Sequence, residues 1–194
     1  MGSIMKMQDI PFLTTSALAL VLAIHLVPFD TGILFFGTRE IQDGQLWRLL
    51  TGHLVHADWN HLAWNARGLA VLGWLIERRS RGVLWLSLLA GAACVNTLLM
   101  FSSLDYYCGL SGVLNALLLV ALWLEWRASH SWWVAAVATG CLLKVIMEIT
   151  LGVALGSQIS WPPYAWSHVA GMAGGLIALL WRHIRTRPRE DFAF

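Results

Sequence analysis

Charge is what this sequence has least of. Asp, Glu, Lys and Arg make up 12% of its 194 residues, against 58% hydrophobic residues, and the mean hydropathy is +0.64. That balance excludes an ordinary soluble domain and marks a membrane protein. The formal net charge is only +2, and the basic residues sit beside apolar segments instead of forming a groove-sized patch, which excludes nucleic acid as a partner. Cysteine is scarce too. Cys94 and Cys141 fall inside apolar runs and Cys108 stands close to a serine, so there is no disulfide framework and no metal-type spacing; all three read as small core residues. His53, His56 and His61 crowd one short stretch, yet no carboxylate completes an H-E-x-x-H pattern and no metal is expected. The first apolar run has no A-x-A site after it, and "MGSIMK" lacks the hydroxyl residue of a myristoylation signal. Neither a cleaved leader nor a lipid anchor is therefore expected, and the opening residues read as partly vector-derived. No internal repeat or long linker suggests a second domain.

What is present is a series of apolar runs. A bilayer crossing needs about twenty mostly apolar residues, and runs of that kind fall at 11–29, 60–76, 82–102, 111–126, 131–154 and 165–183. The expected fold is an all-α membrane protein, a compact bundle of six transmembrane helices over 11–183, flanked by an N-terminal cytoplasmic segment, 1–10, and a basic cytoplasmic tail, 184–194. The second and fourth runs are short or polar at one end, as suits helices that begin below the membrane surface in a protein-lined cavity. Lys6, "ERRSRG" at 77–82, Arg127 and "WRHIRTRPRE" at 181–190 lie on one side, which the positive-inside rule makes cytoplasmic. The other side receives the 30–59 connection, expected as short interfacial helices. It also receives "SSLDYYCGL" and "GSQISWPPYA", the latter with Trp161, Tyr164 and Trp166 as an interfacial belt.

Polar groups inside such runs are costly and mark function or mutual pairing. His61 and Asn65 are four apart and share a helix face near its outer end. Ser111 lies in "GLSG", and His168 opens "SHVAGMAGG". Gly171 and Gly175 continue the His168 face, while Gly112 and Ala116 follow Ser111, so each helix carries a stripe of small residues that permits close approach. If the stripes meet, Ser111 Oγ and His168 stand at one height, as a serine nucleophile and its general base require. N–H groups at the helix start, with His61 and Asn65, would then serve as oxyanion donors. This is a dyad with no obvious aspartate. Each piece has a plainer reading: Ser111 as a helix cap, His61 and Asn65 bonded to nearby backbone, glycines as packing alone. Their coincidence at one depth favours a site. Lys144 and Glu148, four apart in the fifth run, read as a structural ion pair. Glu77 reads as a boundary anchor and Arg67 as a snorkelling side chain.

Three ordered blocks, "WRLLTGHLVHADWNHLAWN", "GLSG" and "SHVAGMAGG", resemble those of the rhomboid family of intramembrane serine proteases, from about Trp47 to Gly175. The resemblance implies Ser111 as nucleophile and His168 as base, with His61, Asn65 and the Ser111 amide lining the oxyanion hole. Gly109 and Gly112 flank the serine in supporting positions. His56 matches the family's upstream histidine, structural or cavity-lining, and Trp47 and Arg48 match its "WR". It implies no cofactor; the partners would be membrane-anchored protein substrates and the lipid bilayer. The compact form most resembles the bacterial rhombosortase subgroup. That implies cleavage near a C-terminal Gly-Gly motif that precedes a transmembrane helix and basic tail, in the bacterial inner membrane, with the active site toward the periplasm. One position departs: many rhomboids carry a tyrosine four residues after the serine, stacked on the histidine, where this chain has Asn115. Asn115 either hydrogen-bonds the imidazole or leaves it less well oriented. Two other readings remain: a catalytically inactive, client-binding rhomboid-like protein, against which intact Ser111 and His168 count, and a transporter, against which the lack of repeat halves counts.

Overall fold

Asp58 and Ser80 begin two of the long helices by accepting backbone N–H groups, of His61 and Val83 respectively, with their side-chain oxygens. The structure, a computed structural model, describes residues 11–27, 30–152 and 164–186. The 1–10 segment, Trp161 with most of its loop, and residues 187–194 of the basic tail lie outside the described residues. In chain order the elements are α1 (Phe12–Leu26), a 3-10 turn (Thr31–Leu34), β1 (Phe36–Gly37), α2 (Thr38–Gln42), α3 (Arg48–Thr51) and α4 (Trp59–Glu77). There follow α5 (Arg81–Met100), β2 (Tyr106–Tyr107), α6 (Ser111–Ser129), α7 (Trp132–Leu151) and α8 (Trp166–Thr186).

The six long helices fall on the six apolar runs. Three of them, α5, α6 and α7, are long and apolar enough to cross a membrane, with hydropathies of 1.9, 1.2 and 1.9, so this is a multi-pass membrane protein. α1 is apolar but only 15 residues long. α4 and α8 dilute their apolar content with polar residues, His61, Asn65 and Arg67 in the first and His168 and Arg182 in the second.

α6 is the axis of the bundle, packed against α4, α5, α7 and α8, while α1 lies on α4. Its buried Val113, Leu117, Val120 and Leu124 form one core with Leu69 and Ile76 of α4 and Leu84 of α5. α7 is the outlier: only Val145 and Glu148 among its residues are buried. Glu77 is more than a boundary anchor. Buried at the end of α4, it accepts hydrogen bonds from the Leu13 and Thr14 amides, each at 2.8 Å, and from the Thr14 hydroxyl at 2.7 Å. It thereby satisfies the first turn of α1, whose N–H groups have no acceptor of their own.

The 30–59 connection forms short helices, as expected, but it also supplies the one departure from an all-α fold among the described residues. Phe36 and Gly37 pair antiparallel with Tyr107 and Tyr106. This ribbon ties the connection to the segment just before Ser111. Buried Arg48 holds the connection from inside, donating to the Gly32 and Phe35 carbonyls at 3.0 and 2.7 Å and to Gln45 Oε1 at 2.8 Å. Trp47 donates its indole N–H to the Ile33 carbonyl at 3.3 Å. The "WR" pair is therefore a clasp for the loop.

Candidate active site

The helix directions bring the polar residues to one end. α4, α6 and α8 all begin there, carrying His61, Ser111 and His168 in their first turns. At the other end Arg79 bonds Glu125 and the Leu124 carbonyl, both at 2.9 Å, and Arg78, Arg127 and Arg185 each lie over a tryptophan ring of their own helix. Arg67, in mid-α4, likewise lies over Trp64 and is exposed.

α6 and α8 touch backbone to backbone. A Cβ built on Gly171 would run into the Gly112 carbonyl oxygen, and one on Gly175 would stand 2.7 Å from the Ala116 carbonyl oxygen. The two small-residue stripes therefore meet, and the meeting sets the height of the side chains above them. Ser111 Oγ lies 3.2 Å from His168 Nε2. Ser111 does not cap its helix: it is the first helical residue of α6, and no side-chain cap bond forms there. Its hydroxyl faces the imidazole instead.

The positive φ of Gly109, +113°, is one that L side chains rarely adopt, and a Cβ there would stand 2.5 Å from His61 Cε1 and Nε2 and 3.6 Å from Asn65 Nδ2. Only glycine admits both side chains to this wall, two residues before the serine. The Gly109 amide is itself held by the Gly52 carbonyl at 2.9 Å, which links the site to the loop that Arg48 clasps. His61 and Asn65 are buried, and among the described residues neither His61 Nδ1 nor Asn65 Nδ2 has a hydrogen-bond partner. A buried amide donor normally finds an acceptor, so an unpaired one beside a serine is suited to a developing oxyanion. The first N–H groups of α6, lacking intrahelical acceptors, point to the same region.

The other candidates sort themselves around this core. The His56 ring packs edge-on against the His61 ring, with centroids 5.0 Å apart, and burial, with the neighbouring histidines, pushes its pKa down to about 3. It stands as a neutral wall behind His61. His53 turns away to Asn96 Oδ1 at 3.0 Å. Because the Asn96 amide donates to the Leu49 carbonyl at 2.8 Å, its oxygen must face His53, so His53 Nε2 carries the proton. Burial pushes His53 down to about 4. Asn115 donates to the Ser111 carbonyl at 2.9 Å, a bond within its own helix and not to the imidazole. Gly112 packs against the Ser167 carbonyl, with 3.1 Å left for a Cβ.

One neighbour was not legible from sequence. Glu148 of α7 does pair with Lys144, through Oε1, but its other oxygen, Oε2, lies 3.2 Å from His168 Nδ1. The i, i+4 spacing signalled the first contact; the second crosses from α7 to α8, and no spacing encodes it.

Comparison with known proteins agrees with the motif resemblance. The Rhomboid domain family matches residues 43–185. The Rhomboid protease GluP of Bacillus subtilis (strain 168) is 28% identical over 151 residues, which is 74% of this chain; the chain spans 28% of that protein's length.

Proposed function

The chain belongs to the rhomboid family, and from that premise we propose that it is an intramembrane serine endopeptidase acting on membrane-anchored proteins. Ser111 is the nucleophile and His168 its general base. The observation that carries the reading is Ser111 Oγ at 3.2 Å from His168 Nε2, beside a buried Asn65 amide that has no partner among the described residues.

Serine is a weak nucleophile until its proton has somewhere to go. As Oγ bonds to the scissile carbonyl carbon, its proton passes to Nε2 and the carbonyl oxygen takes the negative charge. The Asn65 amide, His61 and the Ser111 N–H stabilise that oxygen. Collapse of the tetrahedral intermediate breaks the C–N bond, and the imidazolium gives its proton to the leaving amine. Water then attacks the acyl ester, Nε2 takes its proton, and a second collapse returns the hydrogen to Ser111 and releases a carboxyl terminus.

In this reading all six long helices span the bilayer, with the arginine-rich ends cytoplasmic and the site toward the periplasmic side of a bacterial inner membrane. The cleaved bond lies near a Gly-Gly motif followed by an apolar helix and a basic tail. The motif resemblance to the rhombosortase subgroup supports both the small residues at the cleaved bond and the tail. The test is reconstitution in liposomes with a single-span reporter ending in that tail. The parent is expected to cut it, and Ser111→Ala is not. A reporter with Val-Val in place of Gly-Gly is expected to be cut at least about tenfold more slowly. Equal cutting of the two reporters would remove the sorting-tail part of the proposal. A folded parent that binds single-span proteins and cuts none would replace the protease by a client-binding protein.

A further inference from the structure

α7 is held to the bundle at few points, and one of its two buried residues is a glutamate. Glu148 has a side chain only 2% exposed and divides its two oxygens between Lys144 on its own helix and His168 Nδ1, 3.2 Å away on α8. A carboxylate at this depth is expensive without a partner, and one ion pair with half-exposed Lys144 would be enough to keep it. The second oxygen has no need to face an imidazole for the sake of that pair.

We propose that Glu148 is a positioning residue for His168, so that the site works as a Ser111–His168–Glu148 chain; this rests on the protease reading above. Paired with the Lys144 ammonium, Glu148 is a carboxylate, which accepts on both oxygens and donates on neither. Its Oε2 lies 3.2 Å from His168 Nδ1, close enough to favour the tautomer with the hydrogen on that nitrogen, though the approach is an ion-pair distance and not a formed hydrogen bond. With Nδ1 protonated, neutral His168 presents a bare lone pair on Nε2, the nitrogen that faces Ser111 Oγ. The separation of 3.2 Å is within ion-pair reach, so the same carboxylate steadies the imidazolium formed when the serine gives up its proton. Orientation of the ring matters here because Asn115, at the position of the family's stacking tyrosine, bonds the Ser111 carbonyl and leaves the imidazole face to other supports.

The perturbation is Glu148→Gln, equal in shape and lacking charge. Lys144 would take the one remaining acceptor oxygen. The amide NH2 would then face Nδ1, which favours the tautomer with hydrogen on Nε2, the wrong one for a base. The expected result is a loss in kcat of at least about 10²-fold, toward the ~10⁴ seen when the acid of a serine-protease triad becomes an amide, with KM changed by less than about threefold. Val145→Ala, which trims the other buried residue of α7 and leaves the Glu148 carboxylate in place, serves as the comparison. It is expected to lower thermal stability while keeping kcat within about fivefold. A purely structural Glu148 would make the two variants alike, and that outcome overturns the proposal, as does a Glu148→Gln kcat within about threefold of the parent. Should Glu148→Gln fail to fold, 15N NMR of histidine-labelled parent decides: a His168 proton on Nδ1 supports the assignment, and one on Nε2 overturns it. Parent cleavage with Ser111→Ala silent keeps the protease reading intact in each of these cases; a silent parent removes both together.

Discussion

Gly171→Ala adds a single methyl group where α8 crosses α6. The built Cβ meets the Gly112 carbonyl oxygen well inside contact distance, with the Gly112 carbonyl carbon at 2.8 Å and the Ala116 amide nitrogen at 3.4 Å. These are backbone atoms, and no side chain can rotate away to relieve them. The helices must separate by roughly an ångström, placing the substitution toward the upper end of the ~1–3 kcal/mol typical of overpacking. For a chain of this size that corresponds to a fall in Tm of about 4–12 °C. The same separation lengthens the 3.2 Å Ser111–His168 contact three residues away, and a misplacement of ~1 Å costs on the order of 10²-fold in rate. The assay pairs thermal unfolding in detergent with the rate of fluorophosphonate labelling. Gly140→Ala on α7, where a Cβ meets nothing within 4 Å, is the matched control. It should leave labelling unchanged and stabilise by up to about 1 kcal/mol through helix propensity. Parent-like Tm and labelling in Gly171→Ala would refute the backbone contact between α6 and α8.

Three further outcomes are expected. Asn65→Ala should lower kcat by about 10²–10³-fold with KM little changed, measured on the single-span reporter, because it removes one oxyanion donor. Glu77→Ala should destabilise by ~1–3 kcal/mol by leaving the Leu13 and Thr14 donors unmet, yet fluorophosphonate labelling at permissive temperature should persist, since Glu77 lies at the far end of α4 from His61. His53 has a folded pKa of about 4 against an ordinary 6.5, so the unfolded chain binds the proton first. Its contribution to stability is therefore complete above about pH 6.5 and falls away by roughly 3 kcal/mol as the pH drops toward 4. His53→Gln should flatten the dependence of unfolding midpoint on pH across that window, and an unchanged slope would contradict the neutral, buried imidazole.

Sequence carried the helices and the meeting of Ser111 with His168 for one physical reason: both depend on local periodicity. Apolar runs of bilayer length located α1 and α4 to α8, and the 3.6-residue repeat placed Gly171 with His168 and Asn65 with His61 before any contact was known. Ser111 and His168 were legible as a pair because each heads a stripe of small residues, and if the stripes meet the two heads stand at one height. What escaped was set by three-dimensional closure. The Phe36–Tyr107 ribbon joins segments some seventy residues apart through backbone bonds that no two-residue strand announces. Glu77 looked like one more charge in an arginine-rich boundary, and only the packing of α1 on α4 turns it into a cap. Glu148 had a ready partner at Lys144, and that local pairing concealed its second contact across α7 and α8.

If His168 activates Ser111, that serine reacts far faster than an ordinary surface hydroxyl. This is tested most directly by reacting the purified, folded protein with a fluorophosphonate and mapping the adduct by mass spectrometry, alongside Ser111→Ala and His168→Ala. One adduct is expected, on Ser111 of the parent, and none in either variant. A parent that stays unlabelled, or a His168→Ala variant that labels as fast as the parent, would contradict it.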